Sequence, residues 1–382
     1  MTSQSSASSS TTNSHDPADQ GSASTQNRTE VFAARRRRLV EELSKSDHPA
    51  LLVTDLKNIR YLTGFSGSNA TLLVSTSGHH TIATDGRYDT QIRIETGEPD
   101  DLTIAVKQQV FEVMTNAAGE RGFAVEPSMP VGRANALGNP EVVSGLVEEL
   151  RLIKDSGEIA ALAEAGELAD TVWQEFIRDG GIREGITEIE AAADLEYRLR
   201  KAGADALSFD TILASGANGS KPHAGVSKDV IVPGLVTVDF GVYLDGYASD
   251  QTRTVCVGEP DDLSRSLYDI VYRSQKAGEA AVKPGASLRG VDTACRETID
   301  EAGYGEYFVH STGHGVGLDV HEAPRAAAGV DPADDAKEGM TLTVEPGIYL
   351  PGKTGLRIEN TYVVTADGAR SLNPSPTELI VV

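Results

Sequence analysis

Apolar positions along the chain recur at helical spacing from near Val31, then give way to short β-rich runs at 50–53, 70–74 and 80–84. These runs alternate with helical or loop stretches, which predicts a small α/β domain. A helical stretch over 140–150 closes it, and residues 152–156 lead into a second domain. There the pattern predicts helices over 158–180 and 187–202, and Thr187 with Glu190 fits a Ser/Thr-x-x-Glu capping box. Beyond Ala206 the chain turns β-rich at 209–214, 235–242 and 247–257. Two more helices (261–282 and 288–302) precede strands at 307–310, 341–350, 357–364 and 378–381. Helices followed by strands, twice over, predict an α+β domain with an antiparallel sheet.

The twofold order has a counterpart in the residues. VTVDFGVYLDG (236–246) and LTVEPGIYLPG (342–352) share six of eleven positions, with Asp239 matching Glu345. A quasi-twofold domain is the reading that accounts for both similarities.

Composition narrows the possible partners. The 382 residues carry 34 Lys and Arg against 57 Asp and Glu, a net charge of −23. Such a surface repels polyphosphate, so nucleic-acid and anionic-membrane partners are not expected. No apolar run is long enough to span a bilayer. Cys256 and Cys295 have no CxxC partner and read as packed thiols. Residues 1–30, rich in Ser, Thr, Asn and Gln, read as a disordered tail. Without a signal-peptide pattern, a cytoplasmic protein is expected. The run Arg35 to Arg38 reads as a solvated helix face, and His79 and His80 as surface residues. The expected domains are therefore the tail 1–30, an α/β domain over 31–150 and a larger domain over 151–382.

Asp245-Gly246 is a two-residue turn signal. It pairs Leu244 with Tyr247, which sets Asp239 opposite Thr252 and makes Asp250 its diagonal neighbour on one face. Two carboxylates among apolar strand residues either bind a cation or mark a wet face. The second hairpin brings Glu345 and Glu359, again among apolar residues, but its longer loop leaves register and face open. If the quasi-twofold holds, four carboxylates converge and match two divalent cations with a bridging hydroxide. His310, His314 and His321 crowd HSTGHGVGLDVHEAP, and His223 lies in the loop SKPHAG. Carboxylate and imidazole without thiolate suit Mn²⁺, Co²⁺ or Zn²⁺.

These motifs resemble the proline-specific metallopeptidases of the pita-bread fold, Xaa-Pro dipeptidase (prolidase) and aminopeptidase P. The resemblance runs from about Glu30 to the C-terminus, through NIRYLTGFSGSNATLLV, FDTILASG, DFGVYLDGYASDQTRTV, HSTGHGVGLDVHEAP, EGMTLTVEPGIY and GLRIENT. It implies a C-terminal pita-bread domain behind a smaller creatinase/prolidase N-terminal domain. It also implies two metal ions, Mn²⁺ foremost, held by Asp239, Asp250, His314, Glu345 and Glu359, with Asp250 and Glu359 bridging. His223 and His321 would contact the scissile bond, Glu345 or Glu359 would shuttle the proton of the attacking water, and His310 and Arg357 would support the ligands. Short proline-containing peptides would be the substrates and a homodimer the assembly. Arg325, the only arginine between His321 and the second hairpin, is the candidate anchor for a terminal proline carboxylate and favours the dipeptidase. Aminopeptidase P is the alternative. A metal-free binding module, a creatinase and a methionine aminopeptidase are disfavoured by the intact ligand set and the separate first domain.

Overall fold

The computed structural model describes residues 17–119 and 122–382. The chain divides into two compact units, 1–146 and 147–382. The expected boundary at 150 falls inside the short helix Leu146–Leu152.

The first unit is built on a five-stranded mixed sheet. Ala50–Val53 pairs antiparallel with Ala70–Ser75 and parallel with Ala124–Val125, while His80–Thr84 pairs parallel with Leu102–Val106. The opening helix runs Pro17–Leu43, so the expected tail is helical from Pro17, and residues 1–16 lie outside the described residues. Extending a helix already anchored by Leu39 and Leu43 costs far less than nucleating one. The arginine run is also corrected. Arg35 and Arg36 are buried, Arg36 gripping Asp101 and donating to Leu62 O at 2.8 Å, while Arg37 and Arg38 stay exposed. His80 too is buried, its Nδ1 accepting from Ser75 N at 3.2 Å, whereas His79 is exposed.

The second unit has the expected two-part layout. Helices Ser156–Arg178 and Glu188–Lys201 pack on strands Gly234–Phe240 and Gln251–Val257, with Trp173 stacked on Phe240 at 5.3 Å between ring centroids. The capping box at Thr187 and Glu190 is formed. Helices Asp262–Ala281 and Leu288–Glu301 pack in the same manner on the second set of strands. Both cysteines are buried. The segment expected as a strand at 307–310 is instead a 3₁₀ turn, Gly305–Tyr307, followed by irregular chain. Arg296 ties it down by donating to Phe308 O and His310 O, so those carbonyls need no sheet partner.

Candidate active site

The first hairpin is folded by its turn. Asp245 and Gly246 both have positive φ, 44° and 76°, as a type I′ turn requires, and Leu244 pairs with Tyr247. The same register sets Asp239 opposite Thr252. Between the two ladders Gly241 lies so close to Ser249 O that a Cβ would collide with it. That contact lets the return strand step inward and delivers Asp250 beside Asp239.

The second hairpin has a register that spacing left open. Gly347 pairs with Arg357 on one side, and Val344 pairs with Asn360 on the other. Glu345 and Glu359 therefore occupy opposed positions in the break between two ladders. The glycines of HSTGHGVG serve close packing: a Cβ on Gly313 would strike Thr343 O, and one on Gly315 would strike Ala323 O. His314 is threaded between these contacts, and its ring lies 4.3 Å from that of His321 between centroids, tilted by 60°.

All ten sequence candidates line one cavity of about 770 Å³. Asp239, Asp250 and Glu359 can offer one ligand atom each within 4.8 Å of one another, and so can His314, Glu345 and Glu359. Glu359 belongs to both triplets. A third such group, Asp250, His314 and His321, overlaps them. His223, His310, His321, Arg325 and Arg357 line the same cavity. His223 is exposed in the loop after the 3₁₀ turn Asn218–Ser220. Arg325 is exposed on Glu322–Ala326, the strand that pairs with the His314 strand.

The electrostatics of this cluster are one-sided. Burial holds the Asp250 carboxyl well above the usual range, and Glu359, Asp239 and Glu345 add to the effect. Burial raises Glu345 likewise, and pushes Glu359 up to about 7. Burial lowers His314 to about 4, so its ring is neutral. Its Nδ1 lies 3.0 Å from Gly315 O and must carry the proton, since a carbonyl only accepts. The Nε2 lone pair then faces Glu345 Oε1 at 3.5 Å and Asp250 Oδ2 at 3.6 Å, acceptor against acceptor. Among the described residues, Asp239 Oδ1 is buried with no hydrogen-bond partner. Once its carboxyls are deprotonated, a set of this kind offers acceptors alone and fits divalent cations with oxygen and imidazole ligands.

One cation is supplied by the chain. Arg357 Nη2 donates to Asp239 Oδ2 at 2.6 Å, its Nε to Thr252 Oγ1 at 2.9 Å and its Nη1 to Tyr349 Oη at 2.7 Å. Burial opposes its charge, but Tyr349 and the carboxylates of Asp239, Glu345 and Glu359 outweigh burial and raise its proton affinity. Thr252 Oγ1 in turn donates to Glu359 Oε2 at 2.7 Å. Tyr349 Oη reaches His310 Nε2 at 3.0 Å, and His310 Nδ1 donates to Ser311 O at 2.8 Å. A directed chain thus runs from Arg357 through Tyr349 to His310.

Sequence reasoning passed over Thr252 and Tyr349, which look like ordinary strand residues. Tyr349 stands in VEPGIYL as Tyr243 stands in VDFGVYL, so the internal repeat was the available signal. It also passed over Arg151 and Lys154, whose charged ends meet Glu322 at 2.5 Å beside His321.

The comparisons with known proteins agree with this geometry. Residues 160–366 match the model of metallopeptidase family M24, and residues 35–153 match the creatinase/prolidase N-terminal domain. The chain belongs to metallopeptidase family M24, and within it is prolidase-like. It is 34% identical to an Xaa-Pro dipeptidase of Pyrococcus horikoshii, covering 92% of this chain and 100% of the relative. An uncharacterised peptidase of Bacillus subtilis is 40% identical over 87% of this chain and 95% of its own. Among solved structures, the Xaa-Pro dipeptidase from Bacillus anthracis superposes with a TM-score of 0.86 at 37% identity, covering 92% of this chain and all of that one. An X-Pro aminopeptidase from Thermotoga maritima gives 0.80 at 33%, with coverage of 90% and 99%. The two-domain fold is that of the prolidase structures.

Proposed function

We propose that the chain hydrolyses the imide bond of Xaa-Pro dipeptides, with two divalent cations, Mn²⁺ foremost, held by Asp239, Asp250, His314, Glu345 and Glu359. The observation that carries this reading is the sharing of Glu359 by two ligand-capable triplets within one cavity that also presents His223, His321 and Arg325. When bound, such a pair supplies a polarised carbonyl and an acidified water.

The chain's own groups do the rest. Arg357 holds Asp239 and Thr252 holds Glu359, so the two carboxylates are oriented before substrate arrives. Glu345, its proton affinity raised by burial, is the group placed to take a proton from the attacking water and return it at the proline nitrogen. His223 and His321 flank the scissile bond and hydrogen-bond its carbonyl and departing nitrogen. Arg325 pairs with the free carboxylate of the terminal proline. An imide has no N–H to recognise, so the fit of the pyrrolidine ring has to supply the preference.

Release of the residue before proline from Gly-Pro, Ala-Pro and Ala-Pro-Ala, after chelation and resupply of Mn²⁺, Co²⁺ or Zn²⁺, tests the reading. Metal-dependent cleavage of the dipeptides with the tripeptide spared is the expected result. Cleavage of the tripeptide at a comparable rate would move the assignment to the aminopeptidase, a reading to which the likeness to the Thermotoga maritima enzyme lends weight. Inertness towards all three with metal bound would overturn the proline specificity.

A further inference from the structure

Outside the cation-binding cluster the chain buries another carboxylate completely. Glu188 opens the helix Glu188–Lys201 and has 0% of its surface exposed. Among the described residues it has no Lys, Arg or His within ion-pair distance, and it does not line the cavity. Its two oxygens are instead saturated by dipoles. Oε1 accepts from Ser215 N at 2.7 Å and Ser215 Oγ at 3.2 Å. Oε2 accepts from Asn218 Nδ2 at 2.7 Å and Ser227 N at 3.0 Å. That exhausts the roughly four acceptor sites of a carboxylate.

Those donors are not scattered. Ser215 ends the strand Ile212–Ser215, Asn218 opens the 3₁₀ turn, and Ser227 lies on the far side of His223. Asn218 Nδ2 also reaches Gly225 O at 3.1 Å, and Ile189 N donates to Ser227 O at 3.1 Å. The irregular arc that presents His223 to the cavity is therefore closed at its base on one carboxylate. An apolar side chain of similar size would leave the backbone N–H groups of Ser215 and Ser227 without this acceptor, so the carboxylate is what ties the two ends of the arc to one point.

We propose that Glu188 is a positioning residue for His223, setting where the imidazole stands without touching substrate. The proposal rests on the reading of His223 as a group that meets the scissile bond.

The test uses the full-length, metal-loaded protein as wild type, Glu188→Gln, Asn218→Ala, His223→Ala and the two double variants with His223→Ala. A glutamine keeps one acceptor oxygen and turns an N–H₂ towards one pair of donors, so part of the ring must open. Hydrogen exchange is expected to rise across residues 218–227 and to stay unchanged in the strands that carry Asp239 and Asp250. kcat/KM for Ala-Pro is expected to fall by about 10- to 100-fold in Glu188→Gln, with kcat taking most of the loss and metal content unchanged. In the His223→Ala background the same substitution is expected to cost less than about twofold. Asn218→Ala, which removes one partly exposed donor, gives a smaller loss with the same dependence on His223 and carries the test if Glu188→Gln fails to fold. Equal losses with and without His223, or unchanged exchange across 218–227, would overturn the proposal. If the wild type does not cleave Ala-Pro, the functional reading fails by itself, and the exchange arm still decides whether Glu188 fixes the loop.

Discussion

Arg357 Nη2 stands 2.6 Å from Asp239 Oδ2, while the other oxygen of the same carboxylate is buried and has no hydrogen-bond partner among the described residues. One oxygen is thus fixed by the chain and the other is left facing the cluster. The bond also joins the two halves of the second unit, because Asp239 comes from the first hairpin and Arg357 from the second. Arg357→Lys keeps the charge but cannot reach Asp239, Thr252 and Tyr349 together. kcat/KM is expected to drop by about 100-fold with metal content retained. A loss below about twofold would show that the fork geometry is dispensable.

Gly241 is required by contact, not by dihedral strain. A Cβ there would strike Ser249 O and Ser208 Oγ, atoms already bonded to each other at 2.9 Å. Gly241→Ala is expected to cost about 1–3 kcal/mol of stability, as overpacking does. Because Ser249 precedes Asp250, affinity for metal is expected to fall as well. Thermal unfolding together with a Mn²⁺ titration reads both, and wild-type values for either would count against this account of the step in the strand.

Much of this architecture was legible because short turns transmit register. Asp245-Gly246 leaves one way to close the first hairpin, so the Asp239–Thr252 pairing could be read from spacing alone. In the second hairpin residues 351–353 lengthen the connection, and the opposition of Glu345 and Glu359 needed coordinates. Long-range burial was equally hidden. Arg36 turns inward because Asp101 and Leu62 O receive it, and no pattern local to the helix announces partners so far along the chain. His80, expected at the surface, is buried for the same reason. Thr252 and Tyr349 stayed unnoticed because strand residues with hydroxyls are common, and their role depends on what Arg357 brings to them.

The burial of His80 is measurable. Burial pushes its ring down from 6.5 to about 4, Arg36 adds to the effect, and Asp101 opposes it. Between those values the unfolded chain binds a proton that the folded chain does not. The stability carried by neutral His80 is therefore complete above pH 6.5 and is lost as the pH falls towards 4. Thermal midpoints of wild type and His80→Gln, followed from about pH 7 to pH 4, are expected to converge as the pH falls. Parallel profiles would place the ring in solvent.

Arg325 is the proposed anchor for the terminal carboxylate, which makes the choice of substrate its test. If it pairs with the terminal carboxylate, Arg325→Gln raises KM for Ala-Pro by about tenfold or more and leaves KM for Ala-prolinamide unchanged. Equal effects on both substrates would remove the carboxylate anchor from the account.

The central claim is that two cations share Glu359. Chelator-stripped protein titrated with Mn²⁺ and followed by electron paramagnetic resonance tests it most directly, with Glu359→Ala as the comparison. Two ions per chain with a spin-coupled signal in the wild type, lost in Glu359→Ala, are the predicted result. A single ion, or two uncoupled ions indifferent to Glu359, would contradict it.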